Sequence, residues 1–542
     1  MGWHAFEEHW DNTFVRELGW LGVRIDPAPV ATPSLLALDD ELARELGLDP
    51  DQLRTPEGLA VLAGNAVAPG SEPIAQGYAG HQFGQLSPLL GDGRAHLLGE
   101  VVDTHGRRRD IALKGSGRTP FSRGGDGRAH LLGEVVDTHG RRRDIALKGS
   151  GRTPFSRGGD GRAVVRPVIR EYLVSAFMHA TGVPTTRSLA AVATGEQVLR
   201  ERPLPGGVLT RVAASHLRVG TLVLLATQGS REQLAEATEY TRARHYPDVP
   251  ADDPMALLAA IVDRQARLVA RWMSLGFIHG VMNSDNMTLS GETIDYGPCA
   301  FLDQYDPQRW FSSIDHAGRY RYSAQPAMAM WDLARLAECL VPLVEGPPDA
   351  AVEQAQEVVE SFRTTYDAQR LDLFRAKLGL RTVRTVPPHE DNPADATLVE
   401  DLLDIAAAEA LDLTGLFRDL ARTLREEPTP TLDGITDRER WEAWFGRWLT
   451  ALDAVRTDGG GVTLHGDRKD VADAMDETNP VYIPRNHLVE EAIAAAHAGN
   501  LEPFHALDAV LRAPFVERPS LERYAEPADP GFTQGYVTFC GT

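Results

Sequence analysis

Residues 276–303 read Gly-Phe-Ile-His-Gly-Val-Met-Asn-Ser-Asp-Asn-Met-Thr-Leu-Ser-Gly-Glu-Thr-Ile-Asp-Tyr-Gly-Pro-Cys-Ala-Phe-Leu-Asp, and the reading of the chain turns on them. Two short apolar runs, Gly276–Ile278 and Met287–Leu289, and a third approach, Thr293-Ile294, are separated by polar residues. His279, Asn283, Asp285, Asn286 and Asp295 fall between or just after these runs. Hard oxygen donors at strand ends beside glycines suit a magnesium–nucleotide site. Taken singly, Asp285 and Asn286 make a turn and Asp295 a cap; taken together they form a constellation.

The spacing sharpens this reading. A protein kinase carries His-Arg-Asp-x-x-x-x-Asn and then Asp-Phe-Gly, the Asn and the second Asp holding metal. Here Asn286 follows His279 at that spacing, and Asp295-Tyr296-Gly297 stands in for Asp-Phe-Gly. The place of the catalytic Asp is taken by Val281, so the usual hydroxyl-orienting base is missing. Asp285 is the nearest carboxylate and the candidate base, with Asn286 and Asp295 the candidate metal ligands.

On these residues the chain resembles the selenoprotein O family (SelO, or YdiU). Further matching stretches are Tyr78–Gly84, Gly91–Ala95, Leu147–Pro154, Ile169–Leu173, Gly318–Pro326 and Asn479–Asn486. The family often has Asn after the serine of Tyr-Ser-Asn-Gln-Pro; Ala324 stands there in this chain. The resemblance implies an α+β, protein kinase-like bilobal fold, with a small β-rich N-lobe, a helical C-lobe and a helical C-terminal extension. It implies ATP bound flipped relative to kinases, with Mg2+ or Mn2+, and transfer of AMP (or UMP from UTP) to Ser, Thr or Tyr hydroxyls of protein substrates. The expected divisions are 1–75, 76–230, 231–345 and 346–542. A conventional kinase, or an impaired nucleotide-binding pseudokinase, are the alternatives.

Composition narrows the class. The chain has 542 residues and a net charge of −22, which disfavours a nucleic-acid partner. Its hydrophobic content of 43% suits a globular protein. Cys299, Cys339 and Cys540 make neither a disulfide framework nor a zinc site. No run has the length of a membrane span, and the first residues lack a signal peptide's basic and apolar regions. A cytoplasmic, monomeric enzyme is expected.

Residues Gly91–Gly124 are repeated letter for letter at Gly125–Gly158, and Gly159–Ala163 begins a third copy and stops. Solenoid repeats drift in sequence and need several units. Two identical copies point instead to a recent duplication or an assembly error. Each unit reads as a hairpin, Ala-His-Leu-Leu-Gly-Glu-Val-Val and Arg-Asp-Ile-Ala-Leu-Lys around a polar turn, and one lobe is expected to accommodate only one of them. The triple arginines in each unit read as solvated turn residues.

Lys148 at a strand end, and Glu171 in the helix expected over 164–180, are expected to pair and aim the ammonium at phosphate. Gly125, Gly127, Arg128, Asp160 and Gly161 are the further nucleotide candidates; Gly91, Gly93, Arg94, Lys114, Asp126 and Gly127 are their equivalents in the other copy. The resemblance implies that Arg211 and Arg218 contact phosphate, and their spacing suggests one helix face. Helices are also expected at 7–21, 34–46, 255–275 and 488–498. The resemblance further implies a redox role for Cys540 near the C-terminus, paired reversibly with Cys299 and leaving Cys339 free.

Overall fold

The computed structural model describes residues 12–90, 162–200, 202–381, 393–457 and 467–539, together with the backbone of strands 95–102, 108–114, 129–136 and 142–148. Strands concentrate before residue 214 and helices after it, giving a mixed α/β chain of the α+β kind. The strands are β1 (Gly22–Arg24), β2 (Ser34–Leu38), β3 (Ile74–Gln76), β4 (Gly80–Gln82), β5 (Gln85–Ser87), β6 (Ala95–Val102), β7 (Arg108–Lys114), β8 (Ala129–Val136), β9 (Arg142–Lys148), β10 (Ala163–Val164), β11 (Arg187–Leu199), β12 (Pro203–Ala213), β13 (Phe277–Ile278) and β14 (Ala300–Phe301).

Ten of them form one sheet, whose main path runs β1-β3-β6-β7-β8-β9-β12-β11-β2, with β10 on β12. The long β11–β12 hairpin is its backbone, with Ser188 opposite Arg211 and Ala191 opposite Leu209. Both copies of the duplicated hairpin lie in this sheet, in the same internal register: Ala95 faces Lys114 as Ala129 faces Lys148. The expectation that one copy is displaced is therefore corrected. Identical strands present identical edges, and β12 is met by both copies, at Leu209 by Lys114 and at Ala213 by Asp144.

The 34–46 stretch, expected as one helix, is divided. Ser34–Leu38 pairs antiparallel with β11, and a helix spans Asp40–Glu45. Asp39 makes the break: its side chain accepts from Leu42 N at 2.9 Å as an N-cap. In the 7–21 stretch, the described part is a short helix, Thr13–Leu18, followed by a 3-10 turn.

The Val165–Ala180 helix packs on β11 and β12 through an apolar face that includes Val168, Ile169 and Leu173. Pro167 sits in its first turn, where no intrahelical donor is needed. The Pro254–Ser274 helix begins at Asp253, whose side chain accepts from Ala256 N. It buries Leu257, Leu258, Ile261, Val262 and Leu268 at helical spacing. Gly276 then takes φ +70, a conformation that costs glycine little, and turns the chain into β13. The Pro348–Lys377 helix packs along the Pro254–Ser274 helix, and the buried Trp444 and Trp448 donate their indole N–H groups to Leu398 O and Leu378 O. No described helix is long and apolar enough to cross a membrane.

Candidate functional site

β13 and β14 pair antiparallel, Phe277 with Phe301 and Ile278 with Ala300, and all the polar residues of the central stretch hang from this short ladder. His279 is its structural hub. Its ring stacks on Trp272 at 5.5 Å, and its Nε2 lies 2.8 Å from Ile294 O. Its Nδ1 accepts from Val281 N at 3.4 Å. A carbonyl on one side and an N–H on the other fit the neutral Nε2–H tautomer. Gln325 holds the hub from the next helix: its Oε1 accepts from His279 N at 2.9 Å and its Nε2 donates to Phe277 O at 2.8 Å. His279 thus fixes Ile294, the residue before Asp295, against the loop that carries Asp285 and Asn286.

Asp295 has φ +65, in the left-handed region where a residue other than glycine is strained. Its Oδ1 lies 3.3 Å from Arg211 Nη2. Arg211 comes from β12 and also binds Glu171 of the Val165–Ala180 helix, Nε to Oε1 at 2.5 Å. Glu171 and Arg211 are 0% and 1% exposed. Burial alone would lower the Arg211 pKa, but Glu171 and then Asp295 hold it above the ordinary value. The remaining guanidinium nitrogen, Nη1, is buried with no hydrogen-bond partner among the described residues. A buried charged donor without an acceptor is costly, so the site suits an anionic oxygen supplied by a ligand.

Asn286 donates its Nδ2 to Val281 O at 3.0 Å, which assigns its Oδ1 as the outward acceptor. Val281, at the position of the kinase base, is buried and serves through its backbone. Asp285 is buried at 1% exposure, and its carbonyl accepts from Arg218 Nη1 at 3.3 Å. Arg218 lies 4.2 Å over the Tyr78 ring.

Tyr78 begins a wall that spacing arguments miss. Ala79 N donates to Gly220 O and Gly220 N to Ser284 O, each at 2.8 Å. His81 N donates to Ser284 Oγ at 2.9 Å. A Cβ on Gly80 would overlap the Asp285 carboxylate. The Tyr78–Gly84 segment stands out in sequence as a matching stretch, but Gly80 contributes by lacking a side chain.

The structure corrects one expectation directly. Arg211 lies within β12 and Arg218 is the N-cap of the Val219–Gln228 helix; they share no helix face. Val208–Val212 pairs with β11 instead. The two arginines still flank the central loop, one at Asp295 and the other at Asp285. Gly91, Gly93, Arg94, Gly125, Asp126, Gly127, Arg128, Asp160 and Gly161 lie outside the described residues. So do the side chains of Lys114 and Lys148, and with them the expected Lys148–Glu171 pair.

Asn479–Asn486, also a matching stretch, is a staple. Arg485 is buried and binds Asp303 Oδ1 at 2.7 Å and Asp412 Oδ1 at 2.5 Å, while Asn486 clasps both backbone groups of Phe301. Burial alone would lower the Arg485 pKa, but Asp412 and Asp303 hold it well above the ordinary value. Cys299 is buried beside Tyr296 O. Cys540 lies outside the described residues, but Thr538 reaches the same turn, its Oγ1 donating to Pro298 O at 2.7 Å. Cys339 is buried, and burial pushes its thiol up to about 12.

A metal–nucleotide ligand fits this donor set. Asn286 Oδ1 and the Asp295 carboxylate are hard oxygens, and magnesium commonly takes one or two protein ligands and completes its shell with phosphates and water. No group of three or more His, Cys, Asp or Glu residues is arranged around a common metal position among the described residues.

The pattern of the family described as "Protein adenylyltransferase SelO" matches residues 20–131 and 124–512. The chain belongs to the SelO family. The SelO match divides at the duplication, its two segments overlapping at 124–131, as a pattern holding the hairpin once would do. A relative called "Protein nucleotidyltransferase YdiU" from Mycobacterium sp. (strain KMS) is 48% identical, covering 98% of this chain and 99% of its own. Proteins of the same description from Pseudarthrobacter chlorophenolicus and Cereibacter sphaeroides (strain KD131) are each 47% identical, also over 98% of this chain and over 97% and 99% of their own lengths.

Proposed function

We propose that this SelO-family chain is a protein adenylyltransferase of kinase-like bilobal architecture. It moves AMP from ATP to a Ser, Thr or Tyr hydroxyl of a protein and releases pyrophosphate. The observation that carries the reading is Arg211: it spans Glu171 and Asp295 and keeps one buried nitrogen, Nη1, without a hydrogen-bond partner among the described residues. That donor matches a phosphate oxygen held beside the metal-binding carboxylate.

In this reading the acceptor hydroxyl attacks the α-phosphorus and the bond to the β,γ-pyrophosphate breaks. Asn286 and Asp295 would hold Mg2+ or Mn2+, which when bound would supply positive charge to offset that developing on the phosphate oxygens. Arg211 and Arg218, with Lys148, neutralise the triphosphate. Asp285 orients the incoming hydroxyl and accepts its proton; an ordinary carboxylate is a weak base, so orientation is the larger part of its contribution. Val281 argues against conventional phosphoryl transfer, because it removes the base from the position kinases use. The wall from Tyr78 to His81 closes the Asp285 side of the site.

The test is the mass gained by an acceptor protein on incubation with ATP and magnesium. A gain of one AMP, matched by release of pyrophosphate, is expected. A gain of one phosphate, matched by ADP, identifies a kinase instead.

A further inference from the structure

The mouth of the site carries apolar surface that the proposed chemistry leaves unused. Phe83, in the turn joining β4 to β5, is 40% exposed. Its ring lies 5.3 Å from that of Tyr320, and the Tyr320 hydroxyl donates to Asn283 Oδ1 at 2.5 Å. One ring contact and one hydrogen bond therefore join this surface to the loop that carries Asp285.

The surface continues along residues 306–321. A Cβ on Gly84 would lie 3.7 Å from Arg319 Nη2, and one on Gly318 would lie 3.1 Å from Trp310 Cε3. The hairpin therefore meets the loop at Arg319, and the Trp310 indole rests on the loop's own backbone. Trp310 and Ile314 are 41% and 48% exposed. Single exposed apolar residues are ordinary, but Phe83, Trp310 and Ile314 are exposed on two neighbouring segments beside a polar site, as on an interaction surface.

Charge selects the partner. The whole chain carries −22, so it repels acidic partners at long range. In residues 306–321, however, Arg309, Arg319 and Arg321 stand against Asp306 and Asp315. Both Asp315 oxygens are engaged by backbone, accepting from Arg319 N at 2.9 Å and Tyr320 N at 2.8 Å. Residues 80–87 contain no Asp, Glu, Lys or Arg. Residues 306–321 thus carry a net charge of +1 beside exposed aromatic surface, on an otherwise acidic protein. Such a field orients an acidic segment, and the apolar surface anchors it.

We propose that the β4–β5 hairpin and the 306–321 loop form the docking face for the acceptor protein. The face takes a linear segment in which an apolar side chain and Asp or Glu residues flank the reacting hydroxyl. This proposal rests on the adenylyltransferase reading and names the substrate class of that site.

Three synthetic peptides with a central serine test it, flanked by Leu with Glu, by Leu with Lys, or by Ala alone. Transfer from α-labelled ATP is measured for each. Wild type should show a KM for the Leu/Glu peptide at least about tenfold below the others, equivalent to about 1.4 kcal/mol. Phe83→Ala combined with Ile314→Ala should raise that KM about tenfold, leaving kcat and the KM for ATP unchanged and the melting temperature near wild type. At the exposed His316, His316→Lys should lower the KM and His316→Glu raise it, each about threefold.

Equal labelling of all three peptides, or labelling of whole proteins with no peptide modified, overturns the docking face while leaving the activity in place. Concentration-dependent dimerisation abolished by the double variant, with peptide KM unmoved, assigns the face to a second copy of the chain and overturns the proposal. Absence of α-label transfer to any acceptor overturns the adenylyltransferase reading on which it rests.

Discussion

Arg211 Nη2 lies 3.3 Å from Asp295 Oδ1, and the same guanidinium clasps Glu171 from the neighbouring helix. Sheet, helix and central loop therefore converge on one buried cation. Removing it leaves the buried Glu171, and the partly exposed Asp295, without this counter-charge; breaking a buried pair in this way typically costs about 3–5 kcal/mol. Arg211→Met should lower unfolding stability by about that amount and abolish nucleotide-dependent transfer. Arg211→Lys should recover part of the stability, because an ammonium keeps the charge but not the fork. Chemical denaturation of the two variants checks this; a Met variant as stable as wild type contradicts it.

Gly80 is the second sensitive point. Its missing side chain lets the wall close on Asp285, and a methyl there would overlap the carboxylate. Gly80→Ala should reduce kcat at least about tenfold, since small displacements of a reacting group are costly, while affinity for ATP stays near wild type. Gly446→Ala is the control: nothing lies within 4 Å of its Cβ position, and the helical site should gain about 0.5–1 kcal/mol of stability. Comparable activity loss in both variants would remove Gly80 from the account.

These contrasts show what is legible in the chain. His279, Asn286 and Asp295 stand out because each is polar and adjoins a short apolar run, at a spacing with known chemistry. Arg211 and Arg218 are visible as residues but not as geometry: their separation suits a helix, whereas the pairing of Ala191 with Leu209 makes that stretch a strand. Gly80 escapes notice because its role is an absence. Arg485 escapes because its partners, Asp303 and Asp412, are remote in sequence. The two hairpins are plain in sequence, but their common sheet depends on β12 meeting both.

Lys377 links burial to pH. It is 5% exposed, its Nζ lies 4.3 Å from the Phe417 ring centroid, and burial pushes its pKa down to about 7 from 10.5. Between about pH 7 and 10.5 the unfolded chain therefore binds more protons at this residue than the folded chain, so stability rises with pH across that window. The destabilisation is fully present below about pH 7. Lys377→Met should flatten the slope and stabilise the fold at neutral pH by roughly 3 kcal/mol. Urea denaturation of wild type and variant across this range decides it, and parallel curves contradict the assignment.

The C-terminal tail returns to the turn after Asp295. Arg170 Nη1 donates to Gly297 O at 2.7 Å and to Phe539 O at 3.3 Å, and Thr538 binds Pro298. We propose that Cys540 forms a reversible disulfide with Cys299. In a reducing compartment such a bond is transient and suits a switch. Mild oxidation should yield a Cys299–Cys540 peptide on non-reducing mapping and slow transfer to proteins. A bond to Cys339, or no bond at any oxidant level, contradicts this.

The central claim is that Asp295 belongs to a site that transfers AMP. Its most direct test measures incorporation from ATP labelled on the α- or the γ-phosphate, using wild type and Asp295→Ala. The account predicts protein labelling from α-labelled ATP only, reduced at least about a hundredfold in a variant that remains folded, a loss of about 2.7 kcal/mol of transition-state stabilisation. Labelling from γ-labelled ATP, or full α-label transfer by folded Asp295→Ala, would contradict it.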